Sequence, residues 1–473
     1  MSQEMNSVYH EVDFLLPVHR FNIRFSYVTK KGLPFIREFV LRLVHVSPMM
    51  PADIASYFGL AKRETDEAIS DLVDKGDLQF LENGQIDLTA QARGYFVQLG
   101  STPHVSTLME SGGAFAFELA SFNCVGRKRT NESWVPGLKL EVPNETIANS
   151  ERLAKRKFQE NFHEIQEQGF WEHKSVNDES GRPSIYTMES VRKLGQEPLR
   201  LISRFAIDPE GMPVEREDFD VLNDSSAVQE LVTDGIAVAQ KPSNLMEIAR
   251  AMHALEDLQT ETLFNDNSID VTKLMLDQHA GWQKSSAWVP FFGPTYSKEN
   301  WELISRYIKE STDSSKSNEG PPPDLIWIAP ADGFWGQSVR TTACFDALID
   351  QAVTEGKKPI RHYTARLYVP IQDAKDRSAL NRWKQQFSKQ KSSVFGLVEG
   401  FLEGCVEVLL IPDRFVAVTY HVSRPETLPV TLPVGFVTAD PHRVKMITSL
   451  VEDYISGVVG FDSPRDLGPL SQL

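Results

Sequence analysis

The chain is 473 residues long, 41% hydrophobic and 24% charged, with 27 Phe and 8 Trp; this is the composition of a multidomain globular protein and excludes a disordered one. Its formal net charge of −16 excludes a protein that coats nucleic acid indiscriminately, since such binding needs clustered Lys and Arg to displace counterions, but it leaves a local basic patch open. Cys124, Cys344 and Cys405 form no Cys-x-x-Cys pair, which excludes a disulfide framework and a cysteine zinc site.

The stretch Met1-Ser2-Gln3-Glu4-Met5-Asn6 lacks a basic region followed by an apolar core, and no run approaches the roughly 18 apolar residues of a membrane helix. A cytoplasmic location without membrane contact is expected. Phe21 to Val28 alternates apolar and polar residues and predicts a strand. Pro34 to Val44 is then an apolar-periodic helix opened by proline, and Pro51 to Phe58 is a second. Gly59-Leu60 makes a turn, and Ala61 to Lys75 is a third helix ended by Gly76. Asp77 to Leu81 and Gln85 to Leu88 flank Glu82-Asn83-Gly84 as a β-hairpin, and Thr89 caps the next helix.

Leu60, Ile69, Leu72, Val73 and Leu78 supply the core spacing of a winged helix-turn-helix. In DNA-binding winged helices the third helix enters the major groove and the wing touches phosphates. Lys62, Arg63 and Thr65 are the candidate DNA contacts on that helix. Glu64, Asp66, Glu67 and Asp71 oppose them, and the wing tip carries no Lys or Arg.

Ser101 to Pro143 is mixed in pattern. Ser150 to Gln168 reads as a helix capped by Ser150, with Ala154, Phe158, Phe162 and Ile165 as its apolar stripe. Its basic residues Arg152, Lys155 and Arg156, with Arg127-Lys128-Arg129 upstream, form a second candidate phosphate surface. Arg182 to Phe219 reads as β-rich with a turn at Asp208 to Gly211, and Val228 to Phe264 holds helices, clearest from Leu245 to Leu258. Trp282, Trp288, Phe291, Phe292, Tyr296 and Trp301 make an aromatic tract, expected as core or partner interface rather than a base-stacking platform. Glu310 to Pro323, rich in Ser, charge and proline, is a linker or surface loop.

Strands are expected at Leu325 to Ala329, Thr364 to Val369, Val406 to Ile411, Phe415 to Val422 and Leu432 to Thr438. Helices are expected at Val339 to Thr354, Ala374 to Phe387 and Pro441 to Ile455, the last capped by Asp440. The alternation predicts a sheet with helices packed on it. The fold class is α+β / α/β multidomain: residues 1–100 a winged helix with an N-terminal strand, 101–309 a mixed region, 310–323 a linker and 324–473 an α/β domain.

The segment from Val406 to Val418 resembles the catalytic hairpin of the phospholipase D superfamily, which includes nucleases and phosphodiesterases. In that family a strand carries His-x-Lys and an Asp follows five residues after the Lys. The His attacks phosphorus, a second His is the general acid and the Lys holds phosphate oxygens. Registering Asp413 on the family Asp puts Val406 at the His and Val408 at the Lys. The resemblance, which spans about residues 324–460, therefore implies a catalytically degenerate lobe. His442-Arg443-Val444-Lys445 has the wrong spacing to replace it.

A winged helix joined to such a domain resembles components of bacterial defence or DNA-transaction operons. That implies double-stranded DNA and an ATPase, helicase or nuclease subunit as partners. The residues themselves hold no phosphate-binding loop, no His-Glu-x-x-His and no Gly-x-Ser-x-Gly, and no cofactor or metal is expected. The loop Ala329 to Gly336 reads as packed structure and His362 as structural. The expectation is a non-catalytic DNA- or partner-binding component of a multi-protein system, antiphage defence included. The alternatives are a phospholipase-D-like nuclease with an unrecognised site and a winged-helix transcriptional regulator.

Overall fold

The computed structural model describes residues 6–32, 35–98, 101–172, 182–214, 219, 222, 225–265, 268–270, 272–274, 276, 288–313, 321–354, 360–372, 376–398 and 400–457. The protein is mixed α and β with several sheets, and it forms two compact units. The large unit comprises Met1–Val18, Thr130–Pro143 and Glu197–Leu473; the small unit comprises His19–Arg129 and Asn144–Gln196. Charge divides with them. The small unit carries 21 Lys and Arg against 21 Asp and Glu, and the large unit 28 against 44, so the large unit holds the entire net charge of −16.

In the small unit, β1 (Ser7–Gly32, from His19 onward) is followed by α1 (Phe35–Val46), α2 (Pro51–Phe58) and α3 (Lys62–Asp74). Pro34 lies outside the described residues. β2 (Leu78–Phe80) and β3 (Ile86–Leu88) then pair antiparallel, Leu78 opposite Leu88, and Met49 bridges to Ile86 on the other edge. Gly59 ends α2 at φ 66°, a left-handed conformation that a side chain would strain. Thr89 caps the next turn by accepting from the Ala92 amide at 3.2 Å. Val40, Leu41, Ile54, Ile69, Leu72, Ile86 and Leu88 share one core.

β4 (His104–Glu118), β5 (Cys124–Gly126) and β7 (Ser184–Ile207) join β1 in a sheet; the large unit's part of β1 pairs with β6 (Leu138–Lys139), Phe14 opposite Leu138. α4 (Ser150–Glu160) and α5 (Phe162–Glu167) pack on the small unit's strands. There the Phe25 ring meets Phe158, Phe162 and Trp171 at 5.1, 5.5 and 5.7 Å. The single helix expected from Ser150 to Gln168 breaks at Asn161 (φ −105°). Its stripe survives, for Ala154, Phe158, Phe162 and Ile165 are all buried.

The large unit is built on seven strands: β8 (Val289–Phe292), β9 (Asp324–Ile328), β10 (Thr364–Ile371), β11 (Val394–Val398), β12 (Val406–Ile411), β13 (Phe415–Val422) and β14 (Leu432–Thr438). Their order is β8-β14-β13-β12-β9-β10-β11. β9, β10 and β11 run parallel, and the rest pair antiparallel. Every residue of β12, β13 and β14 is buried, so both faces of the sheet's centre are covered. β11 has no counterpart among the expected strands. Helices α6 (Ser226–Ala239), α7 (Leu245–Ala254), α8 (Lys298–Asp313), α9 (Val339–Gln351), α10 (Arg377–Gln386) and α11 (Pro441–Ser456) complete the unit. α11 is capped by Asp440, whose carboxylate accepts from the Arg443 amide at 3.0 Å. α8 runs to Asp313, so the first residues of the expected linker are helical, while residues 314–320 lie outside the described residues.

Candidate functional site: a sealed charge cluster and two basic surfaces

The central hairpin of the large unit carries charge where its pattern calls for apolar residues. Glu407 sits between Val406 and Val408 on β12, His421 near the end of β13, and Asp332 in the loop after β9; Glu407 and His421 are buried, and the Asp332 side chain is 4% exposed. His421 Nδ1 lies 3.1 Å from Asp332 Oδ2, and its Nε2 3.1 Å from Glu407 Oε2. Both ring nitrogens therefore donate to carboxylates, the arrangement of an imidazolium. The other Glu407 oxygen accepts from the indoles of Trp327 at 2.8 Å and Trp335 at 3.0 Å. Asp332 also accepts from the Thr431 hydroxyl at 2.7 Å and the Phe334 amide at 3.2 Å.

Burial opposes a charge on His421, yet the hydrogen bonds and charges of the two carboxylates outweigh it and raise its pKa to about 9. Burial likewise pushes Asp332 up, but hydrogen bonding to His421 and the imidazolium charge hold it below the usual range. His10 of β1, also buried, is driven down to about 4, chiefly by burial and further by His421, with Asp332 partly offsetting. Its Nδ1 is 3.3 Å from the Glu11 carbonyl, and its Nε2 has no hydrogen-bond partner among the described residues.

A doubly donating imidazolium has no lone pair with which to attack phosphorus or take a proton. Val406 and Val408, the positions registered on the family His and Lys, are wholly buried. Asp413, registered on the family Asp, is exposed in the hairpin turn at φ 59°. His442 is exposed in the first turn of α11, and the His362 amide donates to the Ala352 carbonyl at 2.8 Å. Among the described residues no group of His, Cys, Asp and Glu is arranged to hold a metal ion, and no helix is long and apolar enough to cross a membrane.

The expected nucleic-acid contacts all fall in the small unit. Lys62 and Arg63 are exposed at the start of α3, Arg63 pairing with Glu67 at 3.1 Å. Thr65 is buried and donates its hydroxyl to the Ala61 carbonyl at 3.2 Å, so it faces away from any groove. Arg127, Lys128 and Arg129 are exposed, and the Arg127 guanidinium lies 5.2 Å from the Phe115 ring. Phe115 in turn meets Phe158 of α4 at 4.9 Å, so one aromatic pair ties Arg127 to α4. On α4, Arg152 and Lys155 are exposed, and Arg156 pairs with Glu160 at 2.8 Å.

The aromatic tract is core: Phe291 and Tyr296 are buried, and Trp301 stacks on Trp327 at 6.0 Å, while Trp282 lies outside the described residues. Phe334 and Trp335 are sealed, as a packed loop requires. Sequence reasoning did not find Asp332, Glu407 or His421. The available signal was one Glu and one His, each inside an otherwise apolar strand. No protein-family model, curated protein or solved structure matches this chain.

Proposed function

We propose that this chain is a non-catalytic DNA-binding component of a multi-protein bacterial system, with chemistry supplied by an ATPase, helicase or nuclease partner. The carrying observation is His421. It occupies the hairpin that resembles a phospholipase D catalytic strand pair, yet both its nitrogens are bonded to buried carboxylates and no solvent reaches it. In this reading the hairpin keeps the scaffold of such a lobe and has replaced its reactive groups with an internal ion network.

The small unit is the DNA-facing part. Its three helices, short hairpin and bridge at Met49 support a winged helix. Its charge is balanced, whereas the large unit would repel a polyanion. Several acids of α3 are already engaged: Glu67 with Arg63, Asp71 with Lys75, and Glu64 with the Ala61 amide. Exposed Lys62, Lys128, Arg152 and Lys155 offer phosphate contacts.

Fluorescence anisotropy with labelled duplex DNA, and a cleavage assay with divalent metal or chelator, test both halves. The expected result is salt-sensitive binding and intact DNA. Cleavage by the purified chain would overturn the non-catalytic reading, and no binding at low salt would overturn the DNA reading.

A further inference from the structure

Within the small unit, the face of β1 opposite Phe21, Ile23 and Phe25 presents exposed Asn22 and Arg24. With Glu110 to Gly113 of β4 and Glu189, Ser190 and Arg192 of β7 these line a groove of about 610 Å³. Gly112 keeps its floor flat, since a Cβ there would fall 2.7 Å from the Ile23 carbonyl oxygen. Arg24, Arg192, Glu110 and Glu189 are all exposed, and none has an ion-pair partner among the described residues. In the same unit the exposed Arg63, Arg93, Arg156 and Arg182 are each paired with a carboxylate. The groove thus gathers unpaired charges of both signs.

Two residues along each strand from Glu110 and Arg192, and so on the same face, Leu108 and Leu194 are each 56% exposed. A polyanion would meet two carboxylates here and be repelled. The fitting partner has acids where this face has Arg, Arg where it has acids, and apolar side chains at the margin. A two-fold rotation of the same face has that arrangement, because in an isologous contact residue i meets j while j meets i. We propose that this sheet face is a self-association surface. Arg24 and Arg192 of one copy face Glu110 and Glu189 of a second, with Leu108 and Leu194 flanking.

Exposed ion pairs are individually weak and screened by salt, so the dimer forms at low salt and weakens as salt rises. Analytical ultracentrifugation of the full chain, without nucleic acid, tests this independently of the DNA reading. The paired reversals Arg24→Glu with Arg192→Glu, and Glu110→Arg with Glu189→Arg, should each raise the dimer Kd about tenfold or more. Mixing the two variants should restore association, because each then supplies the other's missing sign. Leu194→Ser, which alters no charge, should also weaken the dimer. A wild-type chain that stays monomeric at low salt would overturn the proposal. So would reversals that leave association unchanged, or folded variants, checked by circular dichroism, that fail to associate when mixed.

Discussion

His421 keeps its charge in a dry interior because two carboxylates hold it. The pH dependence follows from the direction of each shift. The His421 pKa is raised from 6.5 to about 9, so its contribution to stability is complete below about 6.5 and is lost as pH rises through about 9. The His10 pKa is lowered to about 4, so its contribution is complete above about 6.5 and is lost as pH falls through about 4. Calorimetric Tm against pH should therefore show a plateau near neutrality that falls on both sides. His421→Gln should cost about 3–5 kcal/mol at neutral pH by leaving Asp332 and Glu407 uncompensated, and should flatten the alkaline fall. A variant that keeps the wild-type alkaline slope would clear the cluster of responsibility. The cluster is hard to read from sequence because His421 lies 89 residues from Asp332 and 14 from Glu407. Only the strand order brings them together, and a single buried His or Glu announces no partner.

At the scale of elements, α4 is the sharper test of DNA contact than α3. Arg152 and Lys155 lie three apart, hence on one helix face, and both are exposed. Arg152→Glu with Lys155→Glu should weaken duplex binding uniformly across sequences and reduce the slope of log K against log salt by about 2, near one per lost phosphate contact. An unchanged slope would rule out this face of α4 as a phosphate contact. Stability should hardly change, since neither side chain is buried.

Element boundaries were legible where composition and turn chemistry agreed. β12, β13 and β14 were bounded correctly because Pro412-Asp413 and the flanking loops punctuate apolar runs. β11 was not, because five residues with Gly396 at their centre carry little periodic signal. The break at Asn161 was hidden because the apolar stripe continues across it.

At the scale of the molecule, the two units are woven from the same strands. β1 has 26 residues and β7 has 24, and each passes from one unit to the other without interruption, at Val18–His19 and Gln196–Glu197. Breaking either strand removes backbone pairing on both sides of the crossing. Thermal unfolding should therefore be one transition whose calorimetric and van't Hoff enthalpies agree. Two resolved transitions would show that the strands part at the crossings. The sequence suggests consecutive blocks because its one conspicuous soft segment falls near residue 315, whereas the chain crosses between units at ordinary strand and loop positions.

That weaving bears on how such a protein can change. A recombination event with one pair of breakpoints can exchange a module only if the module is contiguous, and the small unit is encoded in two separated stretches, His19–Arg129 and Asn144–Gln196. The binding surface proposed there cannot be replaced as a cassette. New specificity has to accumulate through substitutions on a framework inherited whole.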